Sequence, residues 1–129
     1  MFTLDEINSA HSKVKSGSDF PAYIQNLIKL GVSSYVTFVT DGHTDYFGAN
    51  AHFATSPAKY ETLAIAARSN ASQFTSDLKA HQAGNTDYPT FCEDCAKSGI
   101  EKWVALLDEM TCTYFDKAGK EILVEVIPG

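Results

Sequence analysis

The feature of this 129-residue sequence that most constrains its fold is an internal match. Residues 19–47 align with residues 87–115 without a gap. Asp and Pro favour the starts of helices, and Gly favours their ends. Asp, Pro and Gly at matching positions therefore predict that both segments fold alike. The identical pairs are Asp19 with Asp87, Pro21 with Pro89, Lys29 with Lys97, Gly31 with Gly99, Val36 with Val104, Tyr46 with Tyr114 and Phe47 with Phe115.

Each half of the chain therefore predicts two helices followed by three strands. The expected helices are 4–16, 19–30, 71–83 and 87–98, and the expected strands are 33–40, 43–48, 60–66, 101–107, 111–116 and 120–127. Helices that precede strand meanders are typical of an α+β fold with antiparallel sheet. We expect a single domain over residues 1–129, built from two tandem αα-βββ repeats (about 1–66 and about 67–129) that a pseudo-twofold axis relates.

Local signals define the ends of these elements. Thr3 with Glu6, and Asn70 with Gln73, have the spacing of capping boxes. Asp19 and Asp87 are expected N-caps, and glycines are expected at four helix ends, namely Gly17, Gly31, Gly84 and Gly99. The pairs Asp41-Gly42 and Asp116 to Gly119 predict tight hairpin turns.

Two cysteines, Cys92 and Cys95, stand in a Cys-x-x-Cys spacing in the fourth expected helix. In the internal alignment they lie over Ile24 and Leu27, and an unreacted thiol behaves as a small hydrophobic group, so the alignment favours burial in the core. Half of a zinc site, with Cys112 as a third ligand, and a redox pair are the weaker alternatives. A zinc site needs a fourth ligand, and a redox thiol is expected at a helix N-terminus.

Composition narrows the classes of partner. The net charge is −6 and the pI is near 5.0, which disfavours binding to nucleic acid or to an anionic membrane surface. No stretch has the roughly 18 apolar residues of a membrane span. An odd cysteine count and an N-terminal segment without a signal-peptide pattern predict a cytoplasmic protein with reduced thiols.

The candidate ligand pocket lies where the halves differ most. The first half carries an insertion around 49–58, next to DGHTDYFG, in which His43 and Asp45 align with Thr111 and Thr113. Two residues apart on a strand, His43 and Asp45 share a face, and the following loop could bring His52 over it. We expect any pocket to be lined by His43, Asp45 and His52, with Tyr60 nearby. The alternative is a solvated hairpin whose loop has lengthened by drift.

Nearly the whole chain resembles the DUF1398 or YbcV-like family of small bacterial proteins of unknown function. The stretches that carry the resemblance are SDFPAYIQNLIKLGV, DGHTDYFG, SPAKYETLAIA, FCEDCAKSGIEKW and MTCTYFDKAGKEILVE. The resemblance implies no activity and no catalytic residues, although some members carry a phage-derived label such as "envelope protein".

The sequence contains no catalytic or nucleotide-binding signature motif. We therefore expect a binding module without catalytic residues, cofactor or metal, whose partner is a small molecule or a protein, with a homodimer left open. A small enzyme that uses His43 and Asp45, with Tyr46 or Tyr60, is the alternative. A phage structural component is the weaker one.

Overall fold

A computed structural model describes residues 2–14 and 19–127. Within these ranges the chain forms four α-helices, a short 3-10 turn at Ala49–Ala51 and one six-stranded sheet. In chain order the elements are α1 (Leu4–His11), α2 (Phe20–Leu30), β1 (Val32–Phe38), β2 (Thr44–Gly48), β3 (Phe53–Thr55), α3 (Ala71–Gln82), α4 (Tyr88–Lys97), β4 (Ile100–Leu106), β5 (Thr111–Asp116) and β6 (Glu121–Val126). The expected α+β class is confirmed.

The sheet is antiparallel throughout, with the strand order β3-β2-β1-β4-β5-β6. Its centre is the pair β1–β4, in which Val36 lies opposite Val104. The two hairpins beside this pair have matching registers, since Tyr35 faces Tyr46 in one and Trp103 faces Tyr114 in the other. Each hairpin also has a bulge near its start, between Val32 and Ser34 and between Ile100 and Lys102.

The second and fourth helices begin and end largely as the sequence predicts. Each has a proline in its first turn, and α2 ends at Gly31, which adopts a left-handed φ of 99°. Asp87 caps α4, because its carboxylate accepts a hydrogen bond from Thr90 N at 2.8 Å. The matching expectation for α2 is only half right: Asp19 occupies the N-cap position with helical backbone angles, and its side chain makes no capping bond.

The first and third helices differ from prediction at their ends. Thr3 and Glu6 form the expected capping box on α1. On α3, Asn70 accepts from Gln73 N, but the Asn70 N–H donates to Ser98 O, so the Gln73 side chain turns to Asp77 instead. The helix α1 ends at His11 rather than at residue 16, and the expected end at Gly17 lies outside the described residues.

The predicted strand at 60–66 is wrong. The partner of β2 is β3, from the segment that we interpreted as an inserted loop, and Phe53 there pairs with Phe47. Residues 56–70 instead cross from the edge of the sheet to α3, and their N–H groups donate to scattered carbonyls. These donations run from Lys59 to Asp41, from Leu63 to Thr40, from Ala66 to Ala96 and from Asn70 to Ser98. Such separate bonds fix a crossing segment but cannot make a ladder.

All four helices lie on one face of the sheet. Alternate strand residues such as Tyr35, Tyr46 and Trp103 point toward the helices and are buried. The opposite face, called here the open face, carries exposed apolar side chains. They are Phe47, Phe53, Leu106, Val124 and Val126.

The cysteines lie in the core, as the alignment with aliphatic residues predicts. Cys92 and Cys95 on α4 are as fully buried as Ile24 and Leu27 on α2. Cys112 on β5 is buried too, and all three thiols are free. None of the described helices is both long and apolar enough to span a bilayer.

Candidate functional site

A cavity of about 390 Å³ lies between the helices and the covered face of the sheet. Its floor is formed by two rows of side chains that run across neighbouring strands, because directly paired residues point to the same face. One row is Tyr46, Tyr35, Cys112 and Glu125, and the other is Thr44, Thr37, Trp103 and Tyr114. The cavity thus spans the junction between β1 and β4.

The helices supply the walls and rim of the cavity. Aromatic side chains predominate: Phe20 and Tyr23 come from α2, and Tyr88 and Phe91 come from α4. Further contributions come from α1, α3, the crossing segment and the residue after β6, and they include His11, Leu78, His81, Lys59 and Ile127. A cleft of this size and aromatic content is of the kind that holds small ligands.

On the β1–β2 side of the cavity, four hydroxyl groups form two neighbouring hydrogen-bonded pairs, called here together the hydroxyl chain. The hydroxyls of Thr37 and Thr44 are 3.0 Å apart, and those of Tyr23 and Tyr46 are 3.5 Å apart. Tyr46 and Thr44 are two residues apart on β2 and point to the same face, so the two pairs lie side by side. Burial raises the pKa values of Tyr23 and Tyr46, so both phenols stay protonated at neutral pH.

On the β4–β5 side the surface is aromatic and sulfur-bearing. The Trp103 ring lies 5.8 Å from the Phe91 ring and 6.0 Å from the Tyr114 ring, measured between centroids. Cys112 occupies the position that Thr44 has in the other hairpin. Burial raises the pKa of Cys112 to about 12, so this thiol is neutral and unreactive at physiological pH.

Few charges reach the cavity, because Lys59 and Glu125, the latter at the end of a floor row, are the charged side chains among the described residues that line it. Burial lowers the pKa values of His11 and His81, so both imidazoles are neutral at pH 7. The Lys59 ammonium lies 5.7 Å from the centre of the Tyr88 ring, and Glu125 accepts two bonds of 2.8 Å from the Gln82 amide. The cavity lining therefore carries one positive charge, one negative charge and no net charge at pH 7.

The four residues that the sequence predicts as pocket residues do not line this cavity. His43 lies in the turn before β2, where its Nδ1 is 2.6 Å from an Asp41 carboxylate oxygen and its ring stacks on Phe38. The same carboxylate oxygen accepts from His43 N, so the pair organises the turn, and the hydrogen bonds from His43 lower the pKa of Asp41. Both side chains are partly exposed.

The other three candidates each have a separate partner. Asp45 is on β2 and accepts from the Thr55 hydroxyl at 2.6 Å, while His52 Nε2 lies 2.7 Å from Phe2 O. The Tyr60 hydroxyl donates to Val39 O at 2.6 Å. Neither a hydrogen bond nor a ring contact joins any two of the four candidates in the described chain, and the cavity is lined by other residues. Their sharing of a ligand stays a prediction.

The cavity residues were missed because each has an ordinary role in packing. Tyr, Thr and Trp are common on strands, so Tyr46 and Trp103 suggested only a packed sheet. The signal that could have found the cavity is the run of hydroxyl-bearing residues at alternate positions of both strands of one hairpin. This run comprises Tyr35, Thr37, Thr44 and Tyr46. Within the described residues, no three His, Cys, Asp or Glu side chains cluster closely enough to hold a metal ion.

Comparison with protein-family models identifies the family of this chain. The model of the family described as "Protein of unknown function (DUF1398)" matches residues 8–126. The chain belongs to this family. A comparison with curated proteins gave no match.

Proposed function

We propose that this protein is a binding module without catalytic activity, and that its ligand is a small, largely apolar molecule held in the cavity between the helices and the sheet. The observation that carries the proposal is the cavity itself, with its volume of about 390 Å³ and its aromatic walls. Ligand sites in proteins have volumes of roughly 300–1,000 Å³ and a few placed polar groups among apolar ones.

The chemistry of the walls supports binding over catalysis. A nucleophilic thiol needs a lowered pKa, whereas burial raises the pKa of Cys112, the cysteine that lines the cavity. Burial also raises the pKa values of the Tyr35 and Tyr114 phenols, so these groups offer hydrogen bonds and not proton transfer near pH 7.

The single tryptophan provides the test, because its indole N–H gives one resolved signal in a ¹H–¹⁵N spectrum. Titration with ethylbenzene should shift this signal of Trp103 saturably. The substitution Val14→Phe should weaken the shift, because Val14 lines the cavity and the larger side chain occupies part of its volume. The matched control is Val36→Phe, a substitution away from the cavity, which should bind as the wild type does. Absence of a saturable shift, or equal weakening in both variants, would contradict cavity binding.

We also propose that the chain arose by tandem duplication, with a pseudo-twofold axis between Val36 and Val104. The equal registers and bulge positions of the two hairpins support this relation. The edge strands β3 and β6 then correspond, although their lengths differ, three residues against six. An experimental structure in which residues 32–48 and 100–116 fail to superpose would overturn the relation.

The remaining expectations belong to the same proposal. A cytoplasmic location is supported by the three free, buried thiols. Binding of nucleic acid or membrane is not expected, and a homodimer and the role of a phage component stay predictions. The enzymatic alternative is tested by His43→Ala: unchanged binding of ethylbenzene in this variant, with no loss of any activity found, would count against it.

A further inference from the structure

The two ends of the cavity floor differ in chemistry, and this difference restricts what the cavity can hold. In the β1–β4 pair, Thr37 lies directly opposite Trp103. The hydroxyl chain therefore ends beside the indole, with no intervening strand. A molecule that fills the cavity has to contact hydroxyl oxygens at one end and aromatic rings at the other.

The hydroxyl chain has donors left over. Each of its two pairs has two protons to donate and one hydrogen bond between its members, which leaves one donor and several acceptor sites unused in each pair. A ligand atom that accepts one of these protons, or a ligand hydroxyl that both donates and accepts, extends the chain.

The same end of the cavity disfavours a charged ligand group. The groups of the hydroxyl chain contact one another and carry no charge, whereas Lys59 lies on the rim beside Tyr88. A carboxylate placed among neutral hydroxyls would lose its hydration, which is costly, and it would have to draw the Lys59 ammonium away from the Tyr88 ring to gain a cationic partner. A neutral hydroxyl or amide loses less hydration free energy, and it regains its hydrogen bonds from the hydroxyl chain.

At the other end, the centroid of the Trp103 ring lies about 6 Å from the ring centroids of Phe91 and Tyr114, and both contacts are tilted. Aromatic ligands fit such walls well, because tilted ring contacts are favourable beyond the burial of area alone.

We propose that the ligand is a neutral aromatic molecule with a phenolic, alcoholic or carboxamide group, whose polar group joins the hydroxyl chain and whose ring lies against Trp103. This inference rests on the proposed function and goes further by naming the class of ligand.

The test compares three probes by the Trp103 indole signal: 4-ethylphenol, ethylbenzene and 4-ethylbenzoate. One added hydrogen bond to a neutral group changes affinity by roughly 3- to 10-fold, so 4-ethylphenol should bind that much more tightly than ethylbenzene. The benzoate should bind most weakly. Tyr46→Phe should remove most of the preference for the phenol, and Tyr23→Phe gives a second route to the same result.

Tyr60→Phe is the matched control, because Tyr60 does not line the cavity and its hydroxyl bonds to Val39 O. This variant should keep the full preference. Equal affinity for phenol and ethylbenzene, tightest binding of the benzoate, or a preference that survives both Tyr46→Phe and Tyr23→Phe would overturn the ligand class while cavity binding stands. Failure of all three probes to shift the signal would overturn the proposed function itself.

Discussion

The hairpins β1–β2 and β4–β5 share a backbone and differ in chemistry. Tyr35 pairs with Tyr46 in the first, and Trp103 pairs with Tyr114 in the second, at equivalent places in the register. Yet the first presents a chain of hydroxyls to the cavity, and the second presents an indole and a thiol. Strand register is thus set by backbone pairing and bulges, whereas the inward side chains can vary as long as they fill the same space.

The largest expected effect tests whether the two hairpins form one cooperative unit at high pH. Burial raises the folded-state pKa values of all three cysteines and all six tyrosines. The stability that these groups provide is complete below about pH 9 and is lost as pH rises, because unfolded thiols and phenols ionise near 9 and 10.

Each deeply buried group then removes about 1.4 kcal/mol of unfolding free energy per pH unit. Several together exceed a typical total stability within a unit or two above pH 10. We expect tyrosinate absorbance and circular dichroism to change in one coincident transition. Stepwise titration of phenols in a chain that remains folded would show that the hairpins respond separately.

The second-largest expected difference is the loss of stability when the glycines that follow α2 and α4 are replaced by alanine. Gly31 and Gly99 both have left-handed φ angles, 99° and 79°. A Cβ at Gly31 would meet nothing within 4 Å, whereas one at Gly99 would lie 2.6 Å from Arg68 O. Gly31→Ala should cost about 1–2 kcal/mol for the backbone conformation alone.

Gly99→Ala should cost about 1–3 kcal/mol more, because backbone atoms of the crossing segment cannot yield easily. Urea midpoints at an unchanged m-value measure both. Equal shifts in the two variants would mean that the crossing segment does not pack on Gly99 in solution.

A smaller difference in stability is expected between substitutions of Thr44 and Cys112, which occupy equivalent places in the two hairpins. Thr44→Val removes one partner of the buried Thr37 hydroxyl and should cost about 1–3 kcal/mol. Cys112→Val substitutes one small apolar group for another and should change stability by less than about 1.5 kcal/mol. Chemical denaturation measures both values, and a larger loss in the cysteine variant would contradict the distinction.

The smallest expected difference concerns the helix starts. Glu6→Ala opens the capping box on α1 and should cost about 0.5–1 kcal/mol. Gln73→Ala removes only an exposed bond to Asp77, so we expect less than about 0.5 kcal/mol. Thermal melts of the two variants provide the measurement, and a reversed order would indicate that Gln73 caps α3 in solution.

Much of the fold could be predicted because its signals are local. Prolines and glycines define α2 and α4, and Asp116 accepts from Ala118 N and Lys120 N in the expected hairpin turn. The strand at 60–66 failed because apolar residues such as Leu63 and Ile65 pack on the core without pairing. Apolar spacing reports burial, and burial does not require a ladder.

The cavity could not be predicted for a different reason. Thr37 and Trp103 meet only because β1 pairs with β4, and no turn or cap in the sequence specifies that pairing. The site predicted around His43 used residues close in sequence, whereas the cavity combines residues from all parts of the chain.

The central pair also bears on how the chain reaches this structure. Val36 and Val104 are neighbours in the sheet, but slightly more than the length of one half separates them along the chain. The hairpins β1–β2 and β4–β5 close short loops, so they can form early, and the central pair has to wait until a long loop closes. We therefore expect valine-to-alanine changes at Val36 and Val104 to slow refolding if joining the hairpins limits the rate, and chevron plots of the two variants would measure it. The barrier to folding would then lie at the same seam over which the ligand is proposed to bind.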